Sequence, residues 1–251
     1  MTINYVNRFQ QKDEVSFYDA TEYGAESYSS YIWRMQRPLV ERVVKDFRAA
    51  HPGPVRLLDF ACGTGRVLSV LEPLVDAAEG VDISENMIAM ARGKCTKARL
   101  LVGDILARPE LLQASYDLIS CFRFVLNAEP GLRERVLLRL RQVLRSSDGL
   151  LLVNVHGNSR SLRHPAIVWR RWRERGGRTG VMLNELSPAG ARRLLAQSGF
   201  EIVRQFGFGM LPPTLYRTPL RRAAAALDRS LAGEHFWSHC AVDILYVCRP
   251  G

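Results

Sequence analysis

Three carboxylates, each standing at or just past the end of a short apolar run, are the side chains best placed to hold a polar ligand. Asp59 follows Leu57-Leu58 and leads through Phe60 into a turn of small residues, Ala61-Cys62-Gly63-Thr64-Gly65. Asp82 stands in Gly80-Val81-Asp82-Ile83-Ser84-Glu85-Asn86-Met87, and Asp104 in Gly103-Asp104-Ile105. Glycines let a backbone approach a ligand without Cβ interference and adopt dihedrals that other residues avoid. A helix starting beyond such a turn offers unpaired N–H groups to a carboxylate or phosphate. A carboxylate at the end of a second strand can accept hydrogen bonds from both hydroxyls of a ribose, as in nucleotide-binding α/β folds. A dinucleotide fingerprint is not met, because G-x-G-x-x-G would place a third glycine where Leu68 stands. A Walker loop would need Gly-Lys-Ser/Thr, which is also missing.

A second group of residues could handle the reacting atoms. His156, in Asn154-Val-His156-Gly-Asn158-Ser159, titrates near neutral pH and can take a proton from an attacking hydroxyl. Arg123 and Asn127, in Cys121-Phe122-Arg123-Phe-Val-Leu126-Asn127, are candidate orienters. No Cys/His cluster has metal-ligand spacing, so the expected reaction is metal-independent. Two basic segments could read an anionic partner. One is Arg160–Arg175, with Trp169 and Trp172 among its arginines; the other is Tyr216–Arg229, around an alanine-rich helix. Arginine clamps phosphate, tryptophan stacks on ring faces, and basic amphipathic stretches can rest on anionic membranes.

The run 55–155 alternates apolar strands with helices, the pattern of a parallel sheet covered on both faces. Strands are expected at Val55–Phe60, Ala77–Val81, Arg99–Val102, Tyr116–Phe122 and Leu150–Val155. Helices are expected from Arg66 to about Val75, over Glu85–Cys95 with Ser84 as cap, and from Pro130. Before this core, the tyrosine-rich residues 1–54 end in a helix over Pro38–Ala50, and Tyr23, Tyr28 and Tyr31 are either a lid or core aromatics. After it, a long excursion over His156–Leu186 precedes a helix begun by Ser187-Pro188 and ended by Gly199. Strands Phe200–Phe208 and Cys240–Cys248 then flank a second excursion, Gly209–His239, long enough to be functional.

Taken as a set, these residues resemble the class I S-adenosylmethionine-dependent methyltransferases. LDFACGTG matches their first motif, an acid followed by alternating glycines, except that Ala61 holds the first glycine position. The resemblance runs from about Val55 to Val155. It implies a doubly wound, mostly parallel seven-stranded sheet of Rossmann-like α/β type, its last strand antiparallel, with insertions after strands five and six that build the acceptor pocket. It also implies S-adenosyl-L-methionine as cofactor and S-adenosyl-L-homocysteine as product. Asp59, Ala61, Cys62, Gly63, Thr64 and Gly65 would hold it at the turn, and Asp82 would take the ribose. Met87 would lie by the adenine, Asp104 would meet its amino group with the backbone of Ile105 nearby, and Ile83 and Phe122 would complete the set. Base methylases of this family typically carry Asn/Asp-Pro-Pro-Tyr/Phe after the fourth strand; this chain does not, which argues against exocyclic base methylation.

The 251 residues fit one methyltransferase domain: a lid or helical segment (1–54), a cofactor core (55–155) and a part with substrate insertions (156–251). No apolar run reaches bilayer length, and MTINYVNRFQQKDEV lacks the basic-then-apolar layout of a secretory signal. A cytoplasmic enzyme with five reduced thiols is therefore expected. The net charge of +10 favours anionic partners. The expected acceptor is a hydroxyl on a sugar, glycan intermediate or natural product. Methylation of a small amine or amino sugar, an RNA substrate, and a non-catalytic cofactor-binding protein stay open as alternatives, as do peripheral membrane contact and the oligomeric state.

Overall fold

β1 (Arg56–Phe60) and β4 (Leu118–Cys121) bury nearly every residue, so neither face of either strand can be left to water. They become the centre of a seven-stranded sheet in a computed structural model of the chain, with strand order β3-β2-β1-β4-β5-β7-β6. The remaining strands are β2 (Ala77–Asp82), β3 (Arg99–Val102), β5 (Leu150–His156), β6 (Phe200–Phe208) and β7 (Asp243–Pro250). β1 to β5 pair in parallel, and β7 runs antiparallel between β5 and β6. The structure describes residues 27–112, 115–145, 148–162, 164, 186–212, 215–216, 218–234 and 236–251.

One face is covered by α1 (Tyr28–Ala50), which buries Ile32, Trp33, Met35, Val40, Val43 and Val44, and by the short α2 (Leu68–Leu71). α3 (Glu85–Arg92), capped by Ser84 through the Met87 N–H at 3.3 Å, buries Met87, Ile88 and Ala91. The other face is covered by α4 (Pro130–Val143), which opens on Pro130, and α5 (Pro188–Gln197), capped by Ser187. α6 (Arg221–Leu231) lies in the segment between β6 and β7. No helix among the described residues is long and apolar enough to cross a membrane.

Several expected boundaries shift, each for a local reason. α1 begins at Tyr28 rather than Pro38, because Ser27 caps it and Pro38 lies on its exposed face. There water can take the carbonyl that the proline ring leaves unpaired, and burying Ile32, Trp33 and Met35 outweighs a proline cost of about 3 kcal/mol. The expected Arg66–Val75 helix is α2 followed by a 3₁₀ turn, Glu72–Leu74, that contains Pro73. Glu72 is buried there, and its carboxylate accepts the N–H groups of Thr96, Lys97 and Ala98 at 2.9, 3.0 and 2.7 Å. It thereby fixes the approach to β3. The fourth strand is shorter than Tyr116–Phe122, because Tyr116 bridges Leu144 instead of continuing the ladder. The last strand starts at Asp243 rather than Cys240, which ends a 3₁₀ turn, Phe236–Cys240.

Candidate active site

Strand order reverses between β1 and β4, and in open α/β sheets the crevice for a ligand forms at that point, beyond the carboxyl ends of the strands. The turn after β1 is bent to leave it clear. Ala61, Gly63 and Gly65 have φ of 53°, 54° and 76°, so the motif's alternation is an alternation of left-handed residues. Ala61 bears this at a cost of about 1–2 kcal/mol. The turn is tied to β2 by the Cys62 N–H, which donates to the Val81 carbonyl at 3.1 Å, and by the Gly63 N–H, which donates to Asp82 Oδ2 at 2.9 Å. Asp82 Oδ1 takes the Ser84 N–H at 2.9 Å. Burial pushes the Asp82 carboxyl up, against the pull of these backbone donors.

Asp59 is buried more oddly. Its Oδ1 accepts from Ser120 Oγ at 2.6 Å and the Leu68 backbone N–H lies close to the carboxylate, while Oδ2, equally buried, makes no hydrogen bond of ordinary length. Burial pushes this carboxyl up to about 7, and the Asp82 charge adds to the effect; Ser120, the Leu68 amide and Arg66 pull the other way. A half-satisfied acid at the wall of a crevice is a site for a cation.

The crevice is two adjoining hollows that share Ala61, Asp82 and Ile83 as a wall. The first, about 670 Å³ including the space open to solvent, is lined by Asp59, Cys62, Gly63, Thr64, Met87, Phe122, Arg123 and Asn127, with Arg66 and Val67. The second, about 410 Å³, is largely apolar: Phe60, Ile105, Phe124, Leu132 and Val136 meet there, with Asp104 as its carboxylate beside the shared Asp82. Asp104 Oδ1 accepts the Leu106 N–H at 2.8 Å. All the residues expected at the ligand line one hollow or the other except Gly65 and His156. A Cβ on Gly65 would lie 2.7 Å from Cys95 Sγ and 3.1 Å from Ala91 Cβ. Its role is to let the turn close against α3.

One side of the first hollow rests on polar side chains from distant parts of the chain. Arg123 has φ of 60°. Its N–H donates to Asn154 Oδ1 at 3.3 Å, its Nη1 to Ser29 Oγ at 3.4 Å, and its carbonyl accepts from Asn127 Nδ2. Behind it, buried Asp243 accepts from Gln36 Nε2 at 2.8 Å and from Asn154 Nδ2. Burial pushes Asp243 up to about 7, with Arg123 the main opposing influence. His156 pairs with Asp243 in the β5–β7 ladder. Its Nδ1 is buried without a partner, and burial, with Arg123 nearby, depresses its pKa well below the ordinary value. The imidazole is neutral at physiological pH.

Sequence reasoning passed over Arg66, Gln36, Ser120 and Asp243. Arg66 adjoins the motif and was legible; it lies 5.0 Å from the Trp33 ring, which meets Phe122 edge-on at 5.9 Å. The N-terminal helix therefore helps build the wall. Tyr31 packs on Tyr216 at 4.3 Å and donates to the Ala225 carbonyl at 3.2 Å, while Tyr28 lies 6.2 Å from Tyr216. These two tyrosines clamp α1 to the segment after β6. Tyr23, Arg163, Trp169, Arg170, Arg171, Trp172, Arg173, Arg175, Arg217 and the Arg221 side chain lie outside the described residues.

Residues 32–205 match the methyltransferase domain family. The malonyl-[acyl-carrier protein] O-methyltransferase of Methylococcus capsulatus is 30% identical over 198 residues, 64% of this chain and 70% of that protein. A methyltransferase so named in Geobacillus sp. (strain WCH70) is 31% identical over 121 residues; the match covers 47% of this chain and spans only 48% of that relative's length. Among solved structures, magnesium protoporphyrin IX methyltransferase from Synechocystis PCC 6803 with bound S-adenosylhomocysteine superposes with a TM-score of 0.58 at 16% identity, covering 96% of this chain and 99% of that one. With the fold, the bent glycine turn and the family match in agreement, the chain belongs to the class I S-adenosylmethionine-dependent methyltransferases.

Proposed function

We propose that the crevice binds S-adenosylmethionine and serves methyl transfer to an oxygen of a small acceptor, such as a sugar, a glycan intermediate or a natural product. The observation that carries the cofactor reading is Asp59, a buried carboxylate with one oxygen that makes no hydrogen bond of ordinary length, which lines the first hollow together with Asp82 and the glycine turn. The ammonium of the cofactor's methionyl group would satisfy it, as a charge-assisted hydrogen bond does. Asp82 keeps lone pairs for ribose hydroxyls after accepting its backbone donors. The apolar second hollow suits a flat adenine between Ile83, Ile105 and Phe124, with Asp104 at hand for the exocyclic amine. When bound, S-adenosylmethionine supplies the electrophilic methyl of its sulfonium.

The chain's own work is alignment, which in such a displacement carries much of the rate. Arg123 and Asn127 line the acceptor side, and Arg66 adds positive charge, so an acceptor bearing an anionic group would be drawn and held there. His156, neutral at the end of β5, is in the form that accepts a proton from a hydroxyl. Its position outside both hollows favours a second reading, methylation of an amine, which needs no protein base. A panel of labelled-methyl assays with sugar, hydroxy-acid and amine acceptors, run on the wild type and on His156→Ala, decides between them. Loss of kcat by about a hundredfold or more with unchanged KM supports the base role. Near-normal turnover removes the base role and favours an amine acceptor.

A further inference from the structure

We infer that Asp243 is the positioning residue for Arg123: through Asn154 it holds Arg123 in the backbone conformation from which that residue lines the first hollow. Its part in the reaction rests on the proposed reading of Arg123 as a contact of the acceptor. Arg123 stands two residues past β4 with φ of 60°, in the left-handed region that residues bearing a Cβ avoid. Such a residue stays there only where its surroundings hold it.

Two hydrogen bonds do so. The Arg123 carbonyl accepts from Asn127 Nδ2 within the same loop, and the Arg123 N–H donates to Asn154 Oδ1 at 3.3 Å, which ties the loop to β5. An asparagine amide is nearly symmetric in shape, with one end accepting and the other donating, so its neighbours decide which end faces which way. Asn154 Nδ2 donates to Asp243 Oδ1. A carboxylate only accepts, so Nδ2 is drawn to Asp243 and Oδ1 is left for the Arg123 N–H. The reverse setting would put oxygen against oxygen at Asp243 and N–H against N–H at Arg123. Gln36 Nε2 also donates to Asp243 Oδ1, at 2.8 Å, and steadies the carboxylate from α1. Both donors use Oδ1, so the arrangement survives a proton on Oδ2.

Burial leaves the relay little choice. Gln36, Asn154 and Asp243 are 3%, 1% and 4% exposed, so water is not at hand to replace a missing partner. The sheet explains how a residue near the end of the chain comes to serve a loop after β4. β7 runs antiparallel beside β5, pairing Asp243 with His156 and Leu245 with Asn154. The tip of Arg123 is steadied separately, by Ser29 Oγ at 3.4 Å from Nη1. A cluster that only packed α1 onto the sheet would depend on Gln36 as much as on Asn154. A relay to Arg123 depends on Asn154 and Asp243.

Nuclear magnetic resonance of the unliganded full chain reads the coupling at Arg123 itself, by exchange of its backbone amide and by its Nε–Hε signal, which Arg123→Lys identifies by loss. In Asp243→Val the amide should exchange about tenfold faster or more, and the side-chain signal should move, while β1 amides change less than about threefold. Asp243→Asn, whose carbonyl oxygen can take both donors, should keep both readouts near the wild type. Asn154→Ser, too short to join Arg123 to Asp243, should release Arg123 as Asp243→Val does, and stands in for it if Asp243→Val does not fold. Gln36→Leu should leave both Arg123 readouts in place. Arg123 signals unchanged in Asp243→Val or Asn154→Ser overturn the inference, as does an equal release in Asp243→Asn or Gln36→Leu. The acceptor reading fails separately. Arg123 signals that follow Asp243, with an unmoved KM for whichever panel acceptor takes label, support the relay and count against Arg123 as an acceptor contact.

Discussion

Replacing Asp59 by asparagine should make the unliganded protein more stable while damaging its site. A carboxyl held at about 7 rather than near 3.8 carries an ionisation penalty in the folded chain of about 4 kcal/mol, at 1.36 kcal/mol per pH unit. Asparagine removes that penalty and can still accept from Ser120 through its carbonyl oxygen. Its amide nitrogen falls where Oδ2 makes no hydrogen bond of ordinary length, and an unsatisfied buried donor costs about 1–3 kcal/mol. The balance is a gain of about 1–3 kcal/mol above neutral pH, or roughly 2–10 °C in Tm for a chain of this size. The sign with pH follows from the raised pKa. The stabilisation from the protonated wild-type carboxyl is full below the unfolded value near 3.9 and is lost as pH rises through about 7. The advantage of Asp59→Asn should therefore be large at about pH 8 and small or reversed near pH 5. Thermal unfolding of both proteins at the two pH values measures it, with calorimetry against S-adenosylhomocysteine alongside. That affinity should fall at least tenfold, because the ammonium loses its carboxylate. A variant less stable than wild type by the same amount at both pH values would refute the reasoning, since Asp59 would then be fully satisfied when ionised.

Glu72→Ala should cost about 3–5 kcal/mol in urea unfolding, because three backbone N–H groups at the approach to β3 lose their acceptor; a loss under 1 kcal/mol would mean that water replaces it. Ala61→Gly relieves a left-handed φ of 53° but loosens the unfolded chain, so a gain of up to about 1 kcal/mol is expected, with S-adenosylhomocysteine affinity unchanged within about threefold. Gly65→Ala meets Cys95 Sγ at 2.7 Å and keeps a φ of 76°, so it should lose about 1–3 kcal/mol and weaken the same affinity, by displacing the turn. Asp82→Asn should reduce affinity for S-adenosylhomocysteine about tenfold or more, and less for a 2′,3′-dideoxy analogue that has no hydroxyls to lose.

What the sequence carried well is what depends on neighbours in the chain. Ser84, Ser187 and Pro130 mark helix starts by local hydrogen bonding and fixed φ, and all three stand where expected. Asp59, Asp82 and Asp104 could be placed together because parallel strands bring their carboxyl ends to one edge of the sheet. Spacing alone does not separate a glycine that faces the ligand, as Gly63 does, from one that makes room for a helix, as Gly65 does. Nor could it say which way a strand-end side chain turns, and His156 reached the right edge but not the hollows. The Gln36–Asp243–Asn154 cluster joins residues from both ends of the chain, and no local pattern announces it. Pro38 hid the first ten residues of α1, whose apolar face continues through it.

The account turns on whether the paired hollows accept an adenosyl ligand. Isothermal titration of the full chain with S-adenosylhomocysteine measures this without any acceptor. The predicted result is one-site binding in the micromolar range, about −8 kcal/mol. Binding no tighter than millimolar, about −4 kcal/mol, would contradict it.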